Sequence, residues 1–160
     1  MIDATIIRAH QHAAGACGGQ ELQALGRSCG GFSSKIHAKV DALGMPLDFI
    51  VTAGQEHEIN SAEILLGDEK SDYLLADRGY DCDALREILT KRGTEPVIPG
   101  KKNRLKKIKY DIHIYKERNF IERFFNRIKH FRRIATRYDK TSIMFMGALI
   151  VVGILIWLKL

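Results

Sequence analysis

The spacing of apolar and polar residues shifts along the chain from a period of two, through short apolar runs, to helical spacing. Residues 2–8 (IDATIIR) form a β-branched run that predicts a strand. Residues 11–31, rich in Gly and Ala, predict a long loop holding at most a helical turn. In residues 33–41 (SSKIHAKVD), Ile36, Ala38 and Val40 alternate with polar neighbours, the pattern of a half-buried strand. The turn sequence Leu43-Gly44-Met45-Pro46 then leads into a third strand over residues 47–52 (LDFIVT). Successive strands with short connections predict an antiparallel meander.

Past residue 60 the pattern alternates. Asn60 predicts the cap of a helix whose apolar positions are Ala62, Ile64, Leu65 and Leu66. Tyr73-Leu74-Leu75-Ala76 reads as a buried strand ending at Asp77. Asp81 or Asp83 caps the next helix, which runs through Leu85, Ile88 and Leu89 to Gly93 as its C-cap. A short fifth strand spans residues 95–98, before Pro99-Gly100. After a basic connector, a long helix is expected from about Tyr115 to Arg137, then an apolar helix to the end. The order is that of an α/β protein with a mixed sheet: a meander of three antiparallel strands, then two strands parallel to the first, flanked by helices, with long C-terminal helices. Right-handed crossovers make the later strands parallel to the first, the arrangement a ribonuclease-H-like fold requires.

With 160 residues, no repeat and no linker, residues 1–160 read as one domain with room for a sizeable core. Hydrophobic residues at 46% and charged residues at 28% are ordinary for a globular protein. The net charge of +6 is unevenly spread. Residues 101–140 hold 15 basic and 4 acidic side chains, a net of +11, and the remainder holds 10 and 15, a net of −5. Such a block suits a phosphate backbone, and it equally suits a solvated helix face. Cys17, Cys29 and Cys82 form no CxxC pair, which argues against a disulfide framework and a zinc ribbon, and for a reducing compartment. Asp3 and Arg8 interrupt any early apolar run, so no signal peptide is expected. Residues 143–158 are sixteen apolar or Gly positions, short of the about 20 that cross a bilayer, which favours a buried core helix over a membrane span.

Three acidic residues stand out. Asp3 lies on the first strand, Asp77 ends the fourth, and Glu122 sits within the long helix. The carboxyl ends of strands are where α/β sheets build sites. An Asp closing the run YLLA is costly to bury unless a cation meets it, and magnesium suits its hard oxygens; a turn or cap role is the other reading of Asp77. Tyr115, Arg118, Glu122 and Lys129 fall within one helical stripe about 60° wide, while Ile121, Phe124, Phe125, Ile128 and Phe131 form the apolar side. The stripe is either plain surface or a metal-binding carboxylate flanked by phosphate-binding cations.

The string Tyr115-x2-Arg118-x3-Glu122-x6-Lys129 matches in full the signature around the third acid of DDE transposases from bacterial insertion sequences, of the IS-four and IS-five type. A chance match in a chain of this length is on the order of one in a thousand. IDATIIRAH resembles that family's first-acid strand and LLADRGYD its second-acid segment. GGFSSKIHAKVDALGMPLDFIVTAGQEHE and YKERNFIERFFNRIKHFRRIATRYDKT resemble the IS-five branch, and the likeness covers residues 2–158. It implies that Asp3, Asp77 and Glu122 hold two Mg²⁺ (or Mn²⁺) ions and catalyse DNA strand cleavage and strand transfer. Arg118 and Lys129 are then assigned to DNA phosphates, with Tyr115 positioning the element end. The connector residues Lys101, Lys102, Arg104, Lys106, Lys107 and Lys109, with Arg78, run along the backbone of double-stranded DNA. Arg123, Arg127, Arg132, Arg133 and Arg137 add further cations.

The likeness further implies a homodimer on DNA, a bacterial cytoplasmic location at the nucleoid, and no membrane contact. Relatives carry a DNA-recognition region before the first acid, and here Asp3 follows two residues from the start. Two origins fit this, a second reading frame whose partner is an N-terminal half from an upstream frame, and a decayed remnant; the alternative to an enzyme core is a catalytically silent fragment that binds DNA or dimerises and modulates a full transposase. Cys29 stands in the loop GRSCGG where the family has a basic residue. Arg8 and His10 are candidates to line the site, although His10-x-His12 is a weak metal motif. Tyr80 and Asp81 read as packing and turn residues. The step of 45 residues from Asp77 to Glu122 (122 − 77) leaves no room for a β-rich insertion.

Overall fold

The computed structural model describes residues 1–159. Strand β1 (Ile2–Ala9) is followed by the short helix α1 (Gly19–Leu22), the strand β2 (Gly26–Ser28) and the long strand β3 (Gly31–Val40). Strand β4 (Pro46–Ala53) completes the expected meander. β3 is its spine. It pairs antiparallel with β1, Asp3 opposite Ala38 and Ile7 opposite Ser34. Along its other edge it pairs with β2 and then β4. The stretch expected as loop thus contributes a strand, because β2 folds back on the start of β3 as a hairpin.

Helix α2 (Glu58–Leu66) begins two residues ahead of the expected cap. His57 is its N-cap, and the Asn60 side chain donates to Glu56 instead. Strand β5 (Tyr73–Leu75), helix α3 (Asp83–Lys91) and strand β6 (Glu95–Val97) follow in the expected order. Cys82 caps α3, and Asp83 occupies its first turn. β5 and β6 are parallel to one another, Leu75 opposite Val97, and make a two-stranded sheet of their own. The expected ladder from these strands to β1 is not formed among the described residues. Packing makes the connection. Ile2 is fully buried in a cluster with Leu65, Leu74, Ala76, Tyr80, Leu85 and Ile98. Three-residue strands offer few ladder bonds, and apolar burial at about 25 cal/mol per Å² is then the stronger attachment.

The expected helix over 115–137 is divided. Helix α4 (Ile112–Lys116) joins α5 (Asn119–Lys129) through a tightened turn. There Arg118 N–H donates to Tyr115 O and Phe120 N–H to Glu117 O, three residues back rather than four. Phe131 leaves helical backbone at φ −79°, ψ 109°, and helix α6 (Arg132–Ala135) restarts beyond it. The chain then extends into strand β7 (Thr136–Arg137), which pairs in parallel with the far end of β1 at Arg8 and Ala9. Arg137, expected on the surface, is fully buried. Its guanidinium donates to Ser34 Oγ at 2.7 Å and Ala24 O at 3.3 Å and lies over the Phe145 ring. Burial lowers its pKa to about 10, and at neutral pH it remains a cation spent on holding β7 to β3.

Helix α7 (Ser142–Trp157) starts at Thr141, whose hydroxyl caps Met144 N–H. One face, with Phe145, Leu149, Val152 and Ile156, joins Ile7, Ile36, Ile121, Phe124 and Ile128 in the larger core. Gly153 allows close approach to β4, since a Cβ there would lie 3.2 Å from the Phe49 ring. Ile143, Ile150 and Ile154 remain exposed. α7 is a core helix, and no described helix is long and apolar enough to cross a membrane. Leu149→Ala is expected to cost about 2–5 kcal/mol in urea unfolding, while Ile150→Ala, on the outer face, shifts stability by about 0.5 kcal/mol or less.

Candidate functional site

The antiparallel register decides what β1 can present. Cross-strand partners share a face, so Ile2 and Ala4 face the same way as Lys39 and His37, toward α2. Asp3, Thr5 and Ile7 point to the other face, where α5 and α7 pack. Among the described residues no strand pairs with β1 beside Asp3 on the side away from β3. At that free edge the end of β5 and the start of α2 come in.

Three carboxylates meet there. Asp3, Glu58 and Asp77 each offer an oxygen within 4.8 Å of the others. Asp77 ends its strand and caps the turn Arg78–Tyr80, with Oδ1 accepting from Gly79 N–H at 2.7 Å. The cap reading of Asp77 is thus realised, and the cap engages only one of its two oxygens. Glu58 sits in the first turn of α2. Gly79 makes room for it: a Cβ there would lie 2.7 Å from Glu58 Oε2 and 2.9 Å from Asp77 Oδ1.

Burial and mutual repulsion alter these groups. The Asp3 carboxyl is pushed up to about 6, first by burial and further by Asp77 and Glu58, against the pull of the Ala4 N–H and Arg118. Burial and Asp77 raise Glu58 as well, opposed by Lys35. The Tyr80 phenol, fully buried, is raised by burial and then by Glu58, Asp3 and Asp77. Its hydroxyl has no hydrogen-bond partner among the described residues.

Two cations hold the cluster. Lys35, nearly buried on β3, donates to Glu56 O at 2.6 Å and lies 3.6 Å from Glu58 Oε1. Arg118 Nη1 donates to Asp3 Oδ2 at 2.7 Å, and its Nη2 pairs with Glu122. Glu122 thus reaches the first strand through a guanidinium fork, and its side chain remains 52% exposed. The polar stripe does face β1, since Lys129 Nζ donates to Thr5 Oγ1 at 2.7 Å, two residues beyond Asp3. Tyr115 is half-buried, edge-on to Tyr110, with the Arg118 guanidinium 5.8 Å from its ring.

The remaining candidates lie further out. Lys101, Lys102, Lys106, Lys107 and Lys109 are exposed along the connector, and Arg78 is exposed beside Asp77. Arg104 is committed to Asp81, at 3.4 Å, and to Asp83. Asp81 is more than a turn residue. Fully buried at its side chain, it accepts from Arg86 and from Lys101 N–H at 2.8 Å, and so anchors the connector. His10 stacks on Tyr138 and accepts from His12 N–H, away from the acids at the β7 end of β1.

Glu58 and Lys35 were not singled out in the sequence. The signal for Glu58 was weak: it stands in QEHEIN just ahead of Asn60, so placing the helix cap at Asn60 left it in a loop. Nothing in the spacing of Lys35 distinguishes it from a solvent-facing strand lysine.

A cluster of hard oxygen donors, a buried unpartnered phenol and a glycine cradle fit a divalent cation. Residues 1–157 match the transposase DDE domain family. The chain is 37% identical over 129 residues, 79% of its length, to a protein of Brucella ovis described as the candidate transposase for insertion sequence element IS6501, and covers 99% of that protein. It is also 28% identical over 121 residues, 68% of its length, to the corresponding protein of element IS402 from Burkholderia cepacia, 55% of which is covered. No solved structure matches the chain.

Because Arg118 holds the Asp3 pKa down, Arg118→Gln is expected to move it above about 6, read by carboxyl NMR titration. Divalent cations compete with the Asp3 proton. The thermal stabilisation that Mn²⁺ gives is therefore expected at pH 7.5 and to shrink as pH falls through 6.

Proposed function

The chain belongs to the DDE-domain transposases of insertion sequences, a metal-dependent family, and from that membership we propose that it cuts and joins DNA strands at the ends of such an element. The observation that carries this reading is the convergence of Asp3 and Asp77 within 4.8 Å of one another, with Arg118 tying Glu122 to Asp3. In this reading Asp3, Asp77 and Glu122 are the catalytic acids of a ribonuclease-H-like domain and hold two Mg²⁺ or Mn²⁺ ions. Such ions supply an activated attacking oxygen, from water or a DNA 3′-OH, and charge stabilisation on the leaving oxygen.

The protein's own groups do the rest. Arg118 neutralises Asp3 and Glu122 while no phosphate is present. A DNA phosphate competes for the same guanidinium fork, a geometry that suits both partners. Moving to the phosphate frees both carboxylates, so metal loading and DNA engagement support one another. Lys129 stays beside β1 through Thr5, at the right end of α5 to meet the backbone. Ile2 and the ring of the buried Tyr80 pack in the apolar cluster behind the acids. The exposed lysines of the connector hold the duplex by charge alone. Such contacts position DNA without reading its sequence, and they weaken with salt.

The test is incubation of the purified protein with element-end DNA and Mn²⁺. Strand cleavage is expected, with a loss of about 100-fold or more in Asp77→Ala. Retarded DNA that is cut by neither protein would instead identify a silent DNA-binding fragment. Lys106→Ala/Lys107→Ala is expected to weaken DNA retardation and to lower its salt slope by about 2.

A further inference from the structure

We propose that Glu58 is a metal ligand, and that with Asp3 and Asp77 it forms a divalent-cation site that fills before DNA binds and without Glu122. The inference rests on the metal-dependent reading of the site given above and adds a residue that reading does not use.

The geometry separates Glu58 from Glu122. Glu58, Asp3 and Asp77 already lie within 4.8 Å of one another, across two helices' worth of chain and the end of β5. Glu122 is held off by the Arg118 fork, half-exposed on α5. A cation entering the apo protein therefore meets Glu58 and Asp77 clear of Arg118 and competes with that guanidinium for Asp3 alone, whereas recruiting Glu122 would break the second arm of the fork as well.

A simple salt-bridge role does not account for the position of Glu58. Lys35 pairs with its Oε1 at 3.6 Å and is shared with Glu56 O, to which it donates at 2.6 Å. An acid needing only Lys35 gains nothing by lying against Asp77, where like charges repel. Gly79 permits that approach, since any side chain there would collide with Glu58 Oε2 and Asp77 Oδ1. The second, independent sign is Tyr80. Its buried hydroxyl has no hydrogen-bond partner among the described residues, and Glu58, Asp3 and Asp77 are its charged neighbours. A hydrated divalent cation bound by those acids supplies polarised water that donates to the oxygen of the buried phenol, giving it the partner it lacks.

The experiment is Mn²⁺ titration of the full chain without DNA at pH 7.5, by calorimetry and by NMR. Glu58→Gln preserves shape and removes one ligand, and is expected to weaken Mn²⁺ binding about 10-fold or more. Glu122→Gln is expected to change it by less than about 2-fold, since that acid is engaged with Arg118. Gly79→Ala keeps Glu58 but places a methyl where its carboxylate rests, and is expected to weaken binding in the same direction. In the unaltered protein, substoichiometric Mn²⁺ is expected to broaden the amides of Glu58, Gly79 and Tyr80 first, a measurement that needs no variant to fold. Wild-type affinity in Glu58→Gln, or broadening centred on Glu122 with Glu58 spared, or no Mn²⁺ binding at all, overturns the proposal. Glu58-dependent binding in a protein that never cuts DNA upholds it while the cleavage reading fails, so the two are judged apart.

Discussion

Like charges crowded at the open edge of a strand are the constraint on which the rest of this structure depends. β1 gives its ladder to β3 on one side and, beside Asp3, to no strand among the described residues on the other. The apolar residue next to Asp3 is buried completely, and that anchoring leaves Asp3 no path away from Asp77 and Glu58. The cost is visible in the Asp3 carboxyl, raised from an ordinary 3.8 to about 6, which corresponds to about 3 kcal/mol against ionisation. That cost is absent below pH 3.8, where the acid is protonated in folded and unfolded chains alike. It is fully present above about 6, where folding must hold the carboxylate charged. Keeping such a cluster charged at neutral pH therefore costs folding stability.

Cations of the chain's own offset the repulsion from two sides. Lys35 approaches along β3 and Arg118 descends from the turn between α4 and α5. The tightening of that turn sets where the guanidinium points, because i to i+3 bonding advances the chain by a different angle than regular helix does. Arg118 reaches Asp3 and Glu122 together, and so joins the two acids through a guanidinium fork of the kind that phosphates also favour. The positive charge of the protein thus divides by burial. Arg137 and Lys35 are spent inside, Arg104 fastens the connector, and the exposed lysines of 101–109 remain for a partner.

Much of this was legible in the sequence by itself. Period-two alternation in SSKIHAKVD located β3, the β-branched run located β1, and the sixteen apolar positions at the end identified a helix whose length suits a core. Asp77 was marked by its place at the close of an apolar run, and the spacing of Arg118, Glu122 and Lys129 placed them on one stripe that does face β1. These are local properties, set by backbone periodicity and by what each side chain can bury, and they survive in any fold the chain adopts.

Tertiary structure alone decided the rest. Whether β5 and β6 join β1 by hydrogen bonds or by packing depends on competition between a few ladder bonds and the burial of Ile2, which no window of sequence contains. Arg137 looked like one more surface cation until β7 carried it beneath Phe145 and onto Ser34. Glu58 became part of the site only because α2 starts earlier than its Asn suggested and because a glycine twenty-one positions later (79 − 58) clears the space. Sequence records which charges exist. Proximity in three dimensions fixes which of them meet, because electrostatic energy depends on distance through space and on local burial, and neither is a property of order along the chain.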